Sequence, residues 1–581
     1  MIKKKWLDIV AVIGMILSLM FTIILTYFPY VFALEPKGVY MKYETELFNK
    51  SQIMEIDILM SDKDWEDMLA NALEEEYYCC DVVVNGITYY NVGIRLKGNT
   101  SLSQVASSNT TDRYSFKLEF DHYDSTQTCM GLDKLVLNNM ISDATYRKEY
   151  LSYDIMEYLG VETSLFSYAD VSRNGETWGL YFALEAMEES YAERVFGTGY
   201  GELYKPETIG MSGGSGSDLS YIDNEIDSYS GIFDAAVLKP SKEDKKKVIE
   251  ALENLEKGTN LEQYIDIDAM LRYIASNTFL VNDDSYFGTM LHNYYLYEED
   301  GKLSMLPWDY NLAFGGFQGQ NASTVINRGI DDVVSGNLEE RPMVAKLLAV
   351  EEYKEQYYAY LEELISGYFE SGHFEEVMEN LDYLIDSYVK EDPTAFYTYE
   401  EYMNAKDMLK QFCQKRAESI RKQLDGTLGK TAATQVSEAK VETSAINISV
   451  MGSQGGRGEE NREKMAEAMG KVQEENNGNV KLSSDVEPSF EDSPSFNGMP
   501  PFGNVQPNGE MENNPDWGNI RDSDRMQGGG GRFPGGAPEG FAETFQGGNN
   551  SQNSIWAWLA ISVFVMGAGL LFVKLYPRSR Y

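Results

Sequence analysis

The stretch CDVVVNGITYYNVGIRLKG, residues 80–98, reads as a β-hairpin. Two runs rich in Val, Ile and Tyr flank Asn85-Gly86, a dipeptide that tolerates the positive φ angles of a two-residue hairpin turn. Further strands are predicted on either side of it, at residues 52–59, 115–120 (SFKLEF) and 133–138 (DKLVLN). Residues 165–172 and 178–184 form another expected pair, around Asn174-Gly175. Two helices interrupt the strands. SDKDWEDMLANALEE, from Ser61, has a capping serine and acids in its first turn, and residues 144–160 have helical spacing up to Gly160. The N-terminal half is therefore sheet-rich.

The pattern changes further along. Residues 208–230 are rich in Gly, Ser and Asp and read as a loop, and residues 240–280 as helix. NYYLYEEDGKLSMLPWD, residues 293–309, is a second hairpin through Asp300-Gly301, and residues 338–425 are helical with a break near Pro393. A sheet-rich half followed by a helix-rich half is an α+β pattern. With 581 residues, 43% hydrophobic and 13% aromatic, the chain can bury a large core. A net charge of −43 argues against a nucleic-acid partner, because phosphate backbones need clustered Lys and Arg. Three His and four Cys make a hard, oxygen-liganded cation more fitting than a zinc site. Cys79 and Cys80 are adjacent and Cys129 and Cys413 distant, which specifies no disulfide framework.

Both ends carry apolar runs. Residues 9–34 follow the basic tip 1–8 with Lys3, Lys4 and Lys5, and residues 555–573 precede the basic tail 574–581 with Lys574, Arg578 and Arg580. Each run is long enough to span a bilayer. Basic outer flanks put both termini in the cytoplasm and the rest outside. The expectation is two transmembrane helices flanking a globular domain over 35–429 and a disordered Gly/Asn/Ser/acidic stalk over 430–554. Few cysteines in an external domain suit a bacterial cell surface, Gram-positive in type.

NDDSYFGTMLHNYYLY, residues 282–297, and LPWDYNLAFGG, residues 306–316, hold the candidate chemistry. Antiparallel pairing puts Asn293 and Asp309 at the same end of two strands, where Asp283 or Asp284 from the preceding loop can join them. Carboxylate and amide oxygens are the ligands Mg²⁺ takes beside substrate phosphates. A further Asp is suited to accept a proton from a hydroxyl. Upstream, Arg95 and Lys97 enter the turn Gly98-Asn99-Thr100-Ser101, and Lys117 sits mid-strand in SFKLEF, suited to phosphate contact. Taken singly, each feature also fits a plain role: a structural carboxylate, an ordinary turn, an exposed strand lysine.

As an ordered series, GIRLKGNTS at 93, YSFKLEF at 114, LNNMISDATYRKEYLSYDI at 137, GLYFALEAMEESY at 179 and the two stretches above resemble the spore-coat-protein-H (CotH) kinase family of atypical protein kinases. The resemblance covers about residues 45–420 and implies a divergent protein-kinase-like fold. It also implies ATP, Mg²⁺ or Mn²⁺, and Ser or Thr of a cell-surface or spore-coat protein as acceptor. By that likeness Lys117 and Arg95 would meet the nucleotide phosphates, and one of Arg147 and Glu149 would support them. Glu185 would sit at the nucleotide pocket. Asp284 or Asp283 would be the catalytic aspartate, and Asp309, Asn293 and Asn311 would hold the metal. Relatives commonly carry Trp-Asp-x-Asp where this chain has Trp-Asp-Tyr-Asn, so Asn311 replaces an acid and less charge holds the cation. The alternative is a catalytically inactive, kinase-like surface module that binds a wall polymer or a partner protein.

Overall fold

The computed structural model describes residues 38–207, 215–319 and 321–453, all within one compact unit. The expected membrane spans and their basic tips lie outside these residues. Among the described residues no helix is long and apolar enough to cross a membrane.

The 80–98 hairpin forms as its residues dictate. Strands β2 (Tyr78–Val84) and β3 (Ile87–Lys97) turn at Asn85 and Gly86, with φ of 46° and 80°. With β1 (Met54–Leu59), β4 (Ser115–Glu119), β5 (Lys134–Asn138), β6 (Phe166–Arg173) and β7 (Glu176–Glu185) they close a barrel in the order β1-β2-β3-β4-β5-β7-β6. All its pairings are antiparallel except β1 with β6, which closes the ring. Helix α1 (Asp62–Ala70) starts where Ser61 accepts a hydrogen bond from Asp64 N.

Strand alternation sends side chains into two cores. Leu135, Leu137, Tyr181 and Ala183 point into the barrel with Ile94, Leu96, Phe116 and Leu118. Their neighbours Val136, Leu180, Phe182 and Leu184 point the other way, into a larger core shared with the helices. That core holds α2 (Lys148–Tyr158), α3 (Lys242–Lys257), α4 (Ile267–Leu280), α5 (Glu351–Glu363), α6 (His373–Glu391) and α7 (Tyr399–Leu424). Buried Arg113 donates to Asp392 at 2.8 and 2.9 Å and binds the barrel to the helical half. A second sheet runs β10-β9-β8, in which β9 (Tyr294–Glu299) and β10 (Lys302–Pro307) are the expected second hairpin. Strand β8 (Glu202–Tyr204) is an addition its short sequence did not announce.

Two boundaries move. Helix α2 starts at Lys148, four residues later than the spacing predicts, because Asp143 forms a turn. Its carboxylate accepts from Thr145 N at 2.9 Å and Lys148 N at 2.8 Å. The folded body also continues past residue 429, where the polar composition predicted a stalk. Residues 430–453 form a strap with Val441, Ile446, Ile448 and Met451 buried. Ala144 N donates to Met451 O at 3.2 Å, and Lys148 Nζ to Gly452 O at 2.6 Å. All four cysteines are free thiols.

Candidate active site

A cavity of about 570 Å³ is lined by the rim of the barrel on one side and by the loops around β9 and β10 on the other. The barrel side follows from strand register. Arg95 pairs with Lys117 and Lys97 with Ser115 across β3 and β4, and Phe116 pairs with Leu137 across β4 and β5. Lys97, Ser115 and Asn138 therefore share one row of the barrel's outer face, at the end that opens into the cavity. Gly98 follows with φ of 122°, and a Cβ there would lie 2.5 Å from Ser101 Oγ. The chain thus turns sharply and leaves Lys97 at the rim.

Lys97 Nζ donates to Asn138 Oδ1 at 2.8 Å. Asn138 Nδ2 in turn donates to both carboxylate oxygens of Glu149 in the first turn of α2, at 3.1 and 3.2 Å. Burial pushes the Glu149 carboxyl up to about 8, with nearby Asp309 adding to the effect and Lys97 and Asn138 opposing it. Burial also lowers Lys97, against the pull of Asp309 and Glu149.

On the facing side, Pro307 pairs with Tyr294, so Asn293 and Asp309 flank the same end of the hairpin. Both are left-handed, with φ of 56° and 54°, a conformation Asn and Asp accept more readily than most residues. Asp284 lies beside them. His292 Nε2 is 2.9 Å from its Oδ1, and Asn293 Nδ2 donates to its backbone carbonyl at 2.8 Å and to Oδ2 at 3.2 Å. Burial pushes the Asp309 carboxyl up, opposed by Lys97 and reinforced by Asp284. Asp309 Oδ1 and Asn311 Oδ1 are shielded from solvent and have no hydrogen-bond partner among the described residues.

Buried oxygens without partners are costly, and two of them in one cavity fit a cation that satisfies both. One carboxylate plus amide oxygens suits a hard divalent ion. Among the described residues no three His, Cys, Asp or Glu converge as a complete metal cage. The remaining ligands would come from amides, water and phosphate oxygens, the usual way Mg²⁺ is held beside nucleotides.

Comparison with known proteins gives the family. The family described as CotH kinase protein matches residues 94–420, more than half of the chain. This chain belongs to the CotH kinase protein family. The Inner spore coat protein H of Bacillus subtilis (strain 168) is 23% identical over 312 residues, covering 51% of this chain and 80% of that protein.

Within this CotH chain, Asp284, Asn293, Asp309, Asn311, Glu149 and Arg95 all line the cavity. Arg95 is also ion-paired with Glu75 at its edge. Four of the expected residues lie away from the cavity. Lys117 faces outward one row from Lys97 and pairs with Glu188 at 2.8 Å, which also binds Lys134. Arg147 is buried against Asp382 at 2.6 Å and the Tyr402 hydroxyl at 2.7 Å, anchoring α2 to the helical half. Glu185 is wholly buried, accepting from Tyr43 Oη at 2.6 Å, Arg194 Nη2 at 2.6 Å and Leu165 N at 2.9 Å. Asp283 is clamped by both Arg328 guanidinium nitrogens at 2.7 and 2.6 Å. None of the four lines the cavity.

Sequence reading singled out Lys97 beside the glycine turn without giving it a ligand, and gave no site role to Asn138, Lys205 or His292; all four line the cavity. Lys97 had a legible signal, a cation immediately before a glycine turn at a strand end. Asn138 and His292 had none, because their importance lies in contacts between distant segments.

Proposed function

We propose that this chain is an atypical protein serine/threonine kinase with a divergent protein-kinase-like fold, dependent on ATP and on Mg²⁺ or Mn²⁺. One observation carries the reading: Lys97 and the partnerless oxygens of Asp309 and Asn311 line a single cavity with Asp284. Phosphoryl transfer is mostly positioning and electrostatics, and it asks for a cation on the phosphates, oxygen ligands for a metal and a carboxylate at the acceptor hydroxyl.

In this reading Asp284, held by His292 and Asn293, orients the acceptor hydroxyl and takes its proton. The Ser or Thr oxygen then bonds to the γ-phosphorus as the bridging bond to ADP breaks. Lys97 pairs with phosphate oxygens, and Arg95 and Lys205 stand at the wall, each ion-paired with a glutamate, Glu75 and Glu207. Asp309, Asn311 and Asn293 are the residues that would hold the divalent ion, which supplies neutralisation of phosphate charge. The family description and the coat-protein relative support phosphorylation of coat or cell-surface proteins. The basic-flanked apolar runs support a membrane-held chain whose domain is outside the cell.

The test is MgATP binding and phosphate transfer by the purified full chain. Asp284→Asn keeps MgATP binding and loses transfer, whereas Asp309→Ala loses both without unfolding. Lys97→Met weakens ATP binding by at least about 10-fold, the value of one charged hydrogen bond, and Lys117→Met by much less. Wild-type chain that binds no ATP at millimolar concentration would move the reading to an inactive, kinase-like surface module.

A further inference from the structure

Among the described residues, Lys97 and Glu149 form no direct ion pair and are joined instead through the Asn138 side chain. An amide is well suited to this place. It offers an acceptor to the ammonium and donors to the carboxyl at the same time, and only one orientation of the amide satisfies both neighbours.

The bridge has a chemical consequence. A direct carboxylate partner would neutralise much of the Lys97 charge, whereas a neutral carbonyl orients the ammonium and leaves its charge for an anion. The ammonium has three donors, and Asn138 uses one of them. Both ends of the bridge are rigidly set. Asn138 is fixed by pairing between β5 and β7, where it lies opposite Phe182. Glu149 is fixed by the start of α2, which Arg147 ties to Asp382 and Tyr402 and Lys148 ties to Gly452 of the strap. The position of Lys97 is thereby referred to the helical half, which also carries Asp309.

We infer that Asn138 is a positioning residue of the nucleotide site: its side-chain amide bridges Glu149 to Lys97 and aims the ammonium, which has no directly bonded carboxylate, at the phosphates of the bound nucleotide. This inference rests on the nucleotide-site reading above, and the two fail differently. It assigns a role to a residue that touches no phosphate itself.

The experiment is titration calorimetry of MgATP into the full chain and three variants, Asn138→Leu, Lys97→Met and the double variant. Asn138→Leu removes both hydrogen bonds at similar volume and lowers MgATP affinity about 10-fold, by the value of a charge-assisted contact. On the Lys97→Met background the same change costs nothing further, because the group it positions is already gone. A purely structural role would instead carry its full penalty into the double variant. Asn138→Asp gives a second reading: it keeps contact with Lys97 but neutralises it and withdraws the amide donors from Glu149. Its MgATP affinity falls at least as far as that of Asn138→Leu, while its thermal midpoint without ligand identifies any loss of folding. Equal affinity for wild type and Asn138→Leu, additive losses in the double variant, or wild-type affinity in Asn138→Asp would each overturn the inference. Wild-type chain that binds no MgATP would instead overturn the nucleotide-site reading.

Discussion

Replacing Asp309 by Asn should make the protein more stable and unable to respond to MgATP. Asp309 Oδ1 is shielded and without a hydrogen-bond partner, and its carboxyl is pushed up by burial and by Asp284. Asn keeps an oxygen in the same place but has no charge to desolvate, and relief of that burial penalty should return about 1–2 kcal/mol in the absence of cation. With an unfolding entropy of about 2.1 cal/mol/K per residue over roughly 400 folded residues, 1 kcal/mol corresponds to about 1 °C. The Asp309→Asn variant should therefore melt about 1–2 °C above wild type in chelator. Saturating MgATP at 100 times its Kd should raise the wild-type midpoint by about 3 °C, from about 2.7 kcal/mol of linkage, and should leave the variant unchanged. Scanning calorimetry of the two full chains, in chelator and in MgATP, reads both effects. A variant that melts below wild type in chelator refutes the reasoning, because the carboxylate would then be a paired structural group.

Further outcomes follow from the same geometry. Glu149 has a native value near 8 against an ordinary 4.5, so the folded state holds its proton more tightly than the unfolded one. Stability should fall as pH rises between those values, by at most about 1.4 kcal/mol per pH unit for this group, and urea midpoints of Glu149→Gln should show a flatter profile over the window. Asp283→Ala removes the carboxylate that clamps the part-buried Arg328 guanidinium and should cost about 3 kcal/mol. MgATP should still raise the midpoint of that variant, and loss of the nucleotide response in a chain that remains folded would return Asp283 to the active site. A chain ending at residue 436 loses the buried Val441, Ile446, Ile448 and Met451, worth about 1.5–3 kcal/mol for each fully buried side chain. It should unfold at markedly lower urea than a chain ending at 453, and equal midpoints would show that the strap contributes nothing.

The local pattern of residues decided most elements. Asn-Gly and Asp-Gly dipeptides marked the turns at 85–86, 174–175 and 300–301, all left-handed in the structure, because few other residue types take those angles. The same hairpin logic brought Asn293 and Asp309 together, since antiparallel register converts sequence spacing into proximity. The ordered motifs indicated the family before any geometry was known, and the family match bears that out.

Tertiary structure decided which charges face the cavity. Lys97 and Lys117 both lie on strands beside apolar neighbours, and only the stagger of the barrel places Lys97 at the rim and Lys117 one row away against Glu188. Arg147, Glu185 and Asp283 read in sequence like Glu149 and Asp284, yet each is bound by side chains between 9 and 255 positions distant. The strap over 430–453 was equally illegible, because its four buried apolar side chains are scattered through polar sequence and find their cover on other segments. A sequence sets which groups exist and what backbone each neighbourhood prefers. Whether a charge is neutralised, or left facing a cavity, depends on residues that meet only when the chain has folded.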